Sequence, residues 1–308
     1  MSPASLAVHL LLALLFPPLL LGVIARTKAR CAGRSGPPVW QPYLDLRRML
    51  LKGAVISRTT TWVFAAGPAV SLAAHLTASL VVPLHVARAP LSFAGDAVAF
   101  ACLLGLGRFF TMAAALDTGS SFEGMGASRE AAFSALAEPA LYLGLSIVLV
   151  PAGLPSLELA WRALPWDTWG ASHPALLAAA LALGAVLLVE NSRLPIDDPN
   201  THLELTMIHE VMVLDHGGPD LALITYGGAL KLFLIGSLLI HLLLPIPDDA
   251  GWGGAALFLG GQILLAIGVG LLESAMARLR LSRVPQFLLG ASVVALIGLI
   301  VQFYGGMS

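Results

Sequence analysis

Residues 174–244 read PALLAAALALGAVLLVENSRLPIDDPNTHLELTMIHEVMVLDHGGPDLALITYGGALKLFLIGSLLIHLLL. Two apolar runs, 174–191 and 221–244, each approach or exceed the roughly 20 residues that an α-helix needs to cross a bilayer. Between them lies a loop, Glu190 to Asp220, of a different character. Seven acidic residues and three histidines crowd its thirty-one positions, with Arg193 as its only base. Apolar, polar, apolar is the pattern of two membrane helices joined by a functional loop, and the rest of the chain repeats the apolar part of it.

Working outward, six further apolar runs stand at about 5–25, 62–84, 93–116, 132–152, 254–275 and 285–304. With the two quoted above they make eight expected spans. Over 308 residues the chain is 57% hydrophobic and only 11% charged, against about 25% charged in an ordinary soluble domain. Its mean hydropathy is +0.85. So few charges exclude a soluble enzyme, a nucleic-acid binder and a disordered chain, and the net charge of −1 points to no polyanionic partner. Continuous rather than alternating apolar runs argue against a membrane β-barrel. The expected fold is an all-α polytopic transmembrane bundle of about eight spans, residues 1–308 forming a single integral membrane domain in the lipid bilayer.

The basic residues orient it. Arg26, Lys28, Arg30, Arg34, Arg47, Arg48, Lys52, Arg58, Arg129, Arg193, Arg278, Arg280 and Arg283 fall in loops on one side; Arg88 and Arg162 fall on the other. The positive-inside rule then puts the long loops in the cytoplasm and both termini outside. No positive n-region precedes the first run, so it reads as a retained anchor rather than a signal peptide. Trp161, Trp166, Trp169 and Trp252 in the opposite loops read as interfacial anchors. Cys31 and Cys102 are far apart and no C-x-x-C occurs, which excludes a thiolate-built iron–sulfur, zinc or NiFe centre in this chain.

In the acidic loop, Pro195 and Pro199 keep the first section non-helical. Thr201 and Glu204 match a capping box, and Leu203, Met207, Val211 and Leu214 recur at helical spacing. A short helix over about 202–215 is expected, lying at the membrane surface or folding back toward the bundle. His202 and His209 would share one of its faces, either as a solvated stripe or as a titratable surface facing a cavity or partner. Two turns, about 10.5 Å, is too far for two ligands of one ion, and His209-Glu210 lacks the second histidine of a zincin. Glu204 reads as a capping partner or a titratable group, Asp197 as a loop-shaping partner of Arg193 or a member of the same surface.

Charges inside spans are costly and are functional candidates by default. Arg108, Glu138 and Lys231 qualify, either as a charge path or as packing ion pairs. Glu273, close to Arg278, reads as an interface residue, and His75 and His241 as packed, hydrogen-bonded neutral groups. Other motifs fail on their own terms. Asp117-Thr118-Gly119-Ser120 has no second copy to make an aspartic-protease dyad. Gly124-Met125-Gly126 lacks the third glycine of a dinucleotide fingerprint, and no G-x-S-x-G elbow occurs.

The run Asp197 to Glu210, D-D-P-N-T-H-L-E-L-T-M-I-H-E, resembles the signature of the membrane subunit shared by complex I, as its subunit 1, and the group 4 energy-converting NiFe hydrogenases. It is most similar to the hydrogenase branch, of the formate hydrogenlyase and hydrogenase-4 type. Three further segments agree in order. They are Gly33-Arg34-Ser35-Gly36-Pro37-Pro38 followed by Gln41-Pro42-Tyr43-Leu44-Asp45-Leu46, then Asp117 to Glu130, then Ala137-Glu138-Pro139. The quinone-reducing branch resembles E-x-x-R-x-P-F-D-x-x-E-x-E-x-E-L here. Glu190, Arg193, Pro195, Asp197 and Glu204 match it, but Ile196, Asn200 and His202 depart from it, which favours the hydrogenase branch.

The resemblance implies a subunit with no catalytic residues and no metal or cofactor of its own, in a prokaryotic plasma membrane. NiFe and iron–sulfur centres would sit in other subunits. The implied partners are the hydrogenase large and small subunits, an iron–sulfur subunit and antiporter-like membrane subunits. Glu190, Arg193, Asp197, His202, Glu204, His209 and Glu210 would form the docking and coupling loop. Arg108, Glu138 and Lys231 would carry an intramembrane charge path. Two alternatives are a quinone-site subunit of an NADH dehydrogenase-like complex and a stand-alone ion transporter, the latter disfavoured by the lack of inverted repeats.

Overall fold

A computed structural model of the chain describes residues 3–85, 88–153, 156–163, 173–197, 207–244, 246 and 251–305. All regular structure among them is helical. In chain order the helices are α1 (Pro3–Leu15), α2 (Pro17–Cys31), α3 (Gln41–Leu50), α4 (Trp62–Val81), α5 (Asp96–Asp117), α6 (Ser121–Ala152), α7 (Leu157–Arg162), α8 (His173–Glu190), α9 (His209–Met212), α10 (Gly218–Leu243), α11 (Gly251–Ala275) and α12 (Val284–Gly305), with a 3-10 turn at Leu281–Arg283.

Six helices, α4, α5, α6, α10, α11 and α12, are long and apolar enough to cross a membrane; α1 and α2 make a seventh crossing if taken as one bent span. The expected run 174–191 is present as the shorter apolar helix Pro174–Glu190. The first span therefore departs from the single helix expected. It breaks by 45° at Phe16, because Pro17 and Pro18 have no N–H to give the carbonyls of Ala13 and Leu14. Tyr226 Oη on α10 supplies a donor instead, 2.9 Å from Leu14 O and 3.4 Å from Ala13 O. Tyr43 Oη on α3 donates to Leu15 O. Three orphaned carbonyls at the break are thus met from two other helices.

Two segments expected as loops are partly helical. Helix α3 lies within the first long loop and buries none of its residues. Trp40 just before it and Leu44 and Leu50 within it are exposed beside Arg47 and Arg48, the composition of a helix lying in a membrane interface. Helix α6 starts at Ser121, eleven residues before the expected 132, so Glu123, Arg129 and Glu130 are helical. Gly119 turns the chain with φ of +71°. The carboxylate of Asp117, the residue of the false protease motif, caps α4 by accepting Thr61 N at 2.6 Å, Thr61 Oγ1 at 2.9 Å and Phe64 N at 3.2 Å. That satisfies the free donors of a helix N-terminus.

Helix α10 is the axis. Every residue from Ala229 to Leu242 is buried, as expected of a helix that is apolar all round. It packs on α2, α3, α4, α8 and α11. Around it, α4 pairs with α5, α2 with α11, and α12 with both α6 and α8. Trp161 is buried in the main core rather than anchored at an interface, whereas Trp252 is exposed; Trp166 and Trp169 lie outside the described residues.

The two ends of the bundle differ. At one, Lys28, Glu273, Arg193, Asp197 and Arg278 meet. At the other, His9 Nε2 bonds Ser79 O at 2.8 Å, His241 Nε2 bonds Leu84 O at 2.5 Å, and Asp96 accepts Ser156 Oγ and Leu157 N. Ser79 O lies in the last turn of α4, where backbone acceptors have no partner within the helix, and Leu84 O lies just beyond its end at Val81.

Candidate functional site

At the end of α8 the chain stops in a Schellman arrangement. Ser192 N bonds Val189 O and Arg193 N bonds Leu188 O at 2.8 Å. Ser192 takes φ of +49°, the left-handed position that glycine usually fills, at a cost of about 1 kcal/mol or more. This turn leaves Glu190 inside the bundle and sends Arg193 back across α11. Beneath it lies a cavity of about 360 Å³. Its charged and polar walls come from α4 (Ser71, His75), α5 (Arg108, Thr111), α6 (Glu130), the end of α8 and its turn (Glu190, Arg193, Asp197), α9 (His209, Glu210) and α10 (Lys231).

Glu190 is the hub. Its Oε1 lies 3.3 Å from Arg108 Nη1 and its Oε2 3.3 Å from Lys231 Nζ. Arg108 Nη2 reaches on to Glu138 Oε1 at 3.2 Å. The three intramembrane charges expected to form a path are therefore joined, through Glu190, into the order Glu138, Arg108, Glu190, Lys231. Glu138 does not line the cavity; 47% of its side chain is exposed on the flank of the bundle, while Glu190 and Arg108 are buried.

His75 lines the same cavity and is not the hydrogen-bonded packing group expected. It is buried, and neither ring nitrogen has a hydrogen-bond partner among the described residues, although buried polar groups are nearly always paired. Its ring sits between two glycines. A Cβ on Gly107 of α5 would lie 3.2 Å from its Cε1 and Nε2, and one on Gly227 of α10 would lie 3.5 Å from its Nδ1. Both helices carry no side chain where the imidazole approaches.

The pairing at the mouth differs from the expected Asp197–Arg193 contact. Asp197 Oδ1 pairs with Arg278 at 2.9 Å, and its Oδ2 accepts Ile208 N at 3.0 Å and His209 N at 3.2 Å. Arg193 instead pairs with Glu273 at 3.4 Å, and Glu273 with Lys28 at 2.7 Å. Glu273 is thus fully buried between α2, α11 and the loop rather than an interface residue. The reason is tertiary: the loop after α11 folds under the acidic loop, with Leu279 N bonded to Pro195 O at 2.8 Å.

Of the expected helix 202–215, the described part is helical only over His209–Met212. This segment folds back into the bundle, with Val211 and Met212 buried. Gly126 on α6 gives it room, since a Cβ there would meet Val211 and Met212 side chains at 2.4 and 2.9 Å. Arg129 Nη1 holds Met207 O at 2.9 Å and Glu123 Oε1 accepts Asp215 N at 3.1 Å. His202 and Glu204 lie outside the described residues. His209 faces the cavity, and burial, reinforced by the Lys231 charge and opposed by Glu190, lowers its pKa to about 4. His216 stacks on Phe64 at 4.0 Å, and burial lowers its pKa against the pull of Asp220 and Asp215.

The site thus gathers Glu190, Arg193, Asp197, His209, Glu210, Arg108 and Lys231 around one cavity. The residues overlooked as site members were Glu130, His75, Glu123 and Arg129. Three of these lie in the 117–130 motif, which carried the signal. Carboxylates and imidazoles held among buried cations suit charge-coupled protonation, because each group's proton affinity responds to its neighbours' charge.

Known proteins fit this description. A family described as NADH dehydrogenase matches residues 4–303. Hydrogenase-4 component C of Escherichia coli (strain K12) is 32% identical over 232 residues, 75% of this chain and 72% of that protein. Formate hydrogenlyase subunit 4 of the same organism is 30% identical over 281 residues, 87% of this chain and 88% of that protein. A chain in the structure of the membrane-bound sulfane sulfur reductase, an archaeal respiratory membrane complex, superposes with a TM-score of 0.83. It is 22% identical and the match covers 96% of this chain and 97% of that one; at that identity the likeness is one of fold. With six or seven candidate membrane spans among the described residues, a charged cavity under the acidic loop and these relatives, the chain is a multi-pass membrane protein that belongs to the NADH dehydrogenase, or complex I subunit 1-like, family.

Proposed function

We propose that this chain is the membrane-anchoring and ion-coupling subunit of a membrane-bound NiFe hydrogenase complex of the formate hydrogenlyase kind. The observation that carries the reading is the ion-pair chain from Lys231 through Glu190 and Arg108 to Glu138. It begins in the cavity beneath the acidic loop and ends on a half-exposed carboxylate within a membrane span. An ionisable group so placed is costly unless a neighbour covers it, which suits an adjoining antiporter-like membrane subunit.

In this reading the end of the bundle bearing Arg193, Arg278 and the acidic loop is cytoplasmic, with both termini outside, in a prokaryotic plasma membrane. The hydrogenase large and small subunits and an iron–sulfur subunit dock there. Glu210, Asp197 and His209, with His202 and Glu204, form the loop they seat on. In this reading the metal centres belong to those partners. The chain's contribution is electrostatic. At an effective dielectric of about 20, a unit charge arriving about 10 Å away changes a carboxylate's protonation free energy by roughly 1.7 kcal/mol, more than one pH unit. A redox event above the cavity is thereby felt at Glu190 and passed along the chain to Glu138.

Purification of the tagged chain from solubilised membranes tests the assignment. Recovery of hydrogenase large and small subunits with an iron–sulfur subunit is expected. Recovery of flavin- and NADH-binding subunits in their place overturns it.

A further inference from the structure

We infer that the apolar groove between α8, α11 and α12 is a binding site for one anionic phospholipid, its headgroup held by Arg280 and Arg283. Helices α11 and α12 are consecutive in the chain, yet α11 packs on α2 and α10 while α12 packs on α6 and α8. The space left between them is a groove of about 610 Å³, closed at its floor by Leu239 of α10. Glycines on all three walls, Gly184, Gly268 and Gly290, widen it.

The headgroup end follows from helical spacing. Gln286, Phe287, Gly290, Ala291 and Val294 of α12 line the groove. Arg283 stands three and four residues before the first two, on the same stripe, one turn above them. Arg280 is brought beside it by the 3-10 turn, in which Arg283 N bonds Arg280 O at 2.8 Å. Both arginines are exposed, and neither forms an ion pair among the described residues, in contrast to Arg278 beside them, which is committed to Asp197. Two uncommitted guanidiniums over an apolar groove match a phosphate carrying an acyl chain, as basic pockets between membrane helices do.

Charge complementarity decides against an apolar helix from another subunit, which would leave the two guanidiniums at the mouth of the groove without a counter-charge. The lipid would also brace the docking region, since Leu188 and Phe287 line the groove and pack on the cluster of Val189, Ile196, Ile208 and Val284. None of this depends on which complex the chain serves.

The test is native mass spectrometry of the full chain, or of its complex, released from nanodiscs of equal phosphatidylglycerol and phosphatidylcholine. One retained phosphatidylglycerol is expected, preferred about thirtyfold, which is what two basic residues at a membrane surface contribute. Arg280→Gln with Arg283→Gln brings the preference near parity while a lipid still binds. Gly290→Leu, which fills the groove, removes both lipids, and an unchanged unfolding midpoint in detergent shows that each variant is folded. Equal retention of the two lipids by the unaltered chain overturns the assignment. So does release of phosphatidylglycerol by millimolar inorganic phosphate, or cross-linking of Ala291→Cys to a neighbouring subunit in native membranes.

Discussion

Two buried glutamates in this protein each hold two cations, and they are built for different ends. Glu273 binds Lys28 and Arg193 at the junction of α2, α11 and the acidic loop, with its side chain fully buried. Glu190 binds Arg108 and Lys231, but beside a cavity that also holds His75, whose ring has no hydrogen-bond partner among the described residues, and its chain of contacts runs on to half-exposed Glu138. The Glu273 cluster is closed in the sense that its ion pairs end on Lys28 and Arg193 among the described residues, although Arg193 also borders the cavity, and it fastens three pieces of backbone. The Glu190 cluster is open at both ends, so a change of charge at one end has somewhere to go. The same ion-pair chemistry fastens backbone where its pairs end and is adaptable where they run on.

That contrast makes its sharpest prediction for stability. Glu273→Gln removes the fully buried carboxylate that partly exposed Lys28 and Arg193 share, and breaking a buried pair costs about 3–5 kcal/mol. The unfolding midpoint of the purified chain is expected to fall by roughly 10 °C. Glu190→Gln is expected to cost less, about 1–3 kcal/mol, because water entering the cavity can solvate the freed cations. Equal losses in the two variants would erase the distinction between closed and open clusters.

A smaller effect is expected from Gly107→Ala, whose methyl would stand 3.2 Å from the His75 ring. The crowding costs about 1 kcal/mol and displaces the imidazole. Ion translocation per hydrogen should drop while assembled complex, measured by gel filtration, stays constant. Translocation unaltered by the methyl would take His75 out of the coupling cluster.

The smallest effect is local and depends on pH. Burial holds His209 near pKa 4 in the folded loop, against 6.5 when free. The released segment therefore takes up a proton before the docked one does. Docking is at full strength above about pH 6.5 and weakens as pH falls toward 4. Hydrogen exchange of residues 207–216 should accelerate several-fold between pH 7.5 and 5 after correction for intrinsic rates, and His209→Gln should flatten that dependence. Protection that stays constant over this range would place His209 outside the docked core of the loop.

Much of this was legible in the sequence because membrane spans are local features. Apolar runs of the right length located the spans whatever the tertiary packing. Two misjudged boundaries also had local signals: Pro17-Pro18 announces the break between α1 and α2, and Ser120 with Glu123 is a capping-box spacing that announces α6 at its true start. Arg108, Glu138 and Lys231 stood out because charge inside a span is expensive. Their connection through Glu190 did not, since Glu190 lies 82 residues after Arg108 and 41 before Lys231 in the numbering, and only packing brings them together. Asp197 with Arg278 and Glu273 with Lys28 are likewise long-range pairs that no spacing encodes.

The central claim is that the open cluster couples and the closed one only fastens. Membrane vesicles carrying the assembled complex, with ion uptake and hydrogen evolution recorded together, put it to the most direct test through Glu138→Gln. The account predicts hydrogen evolution and assembly near the unaltered level with ion uptake per hydrogen lost. Uptake per hydrogen unchanged across pH would contradict it and remove Glu138 from the path.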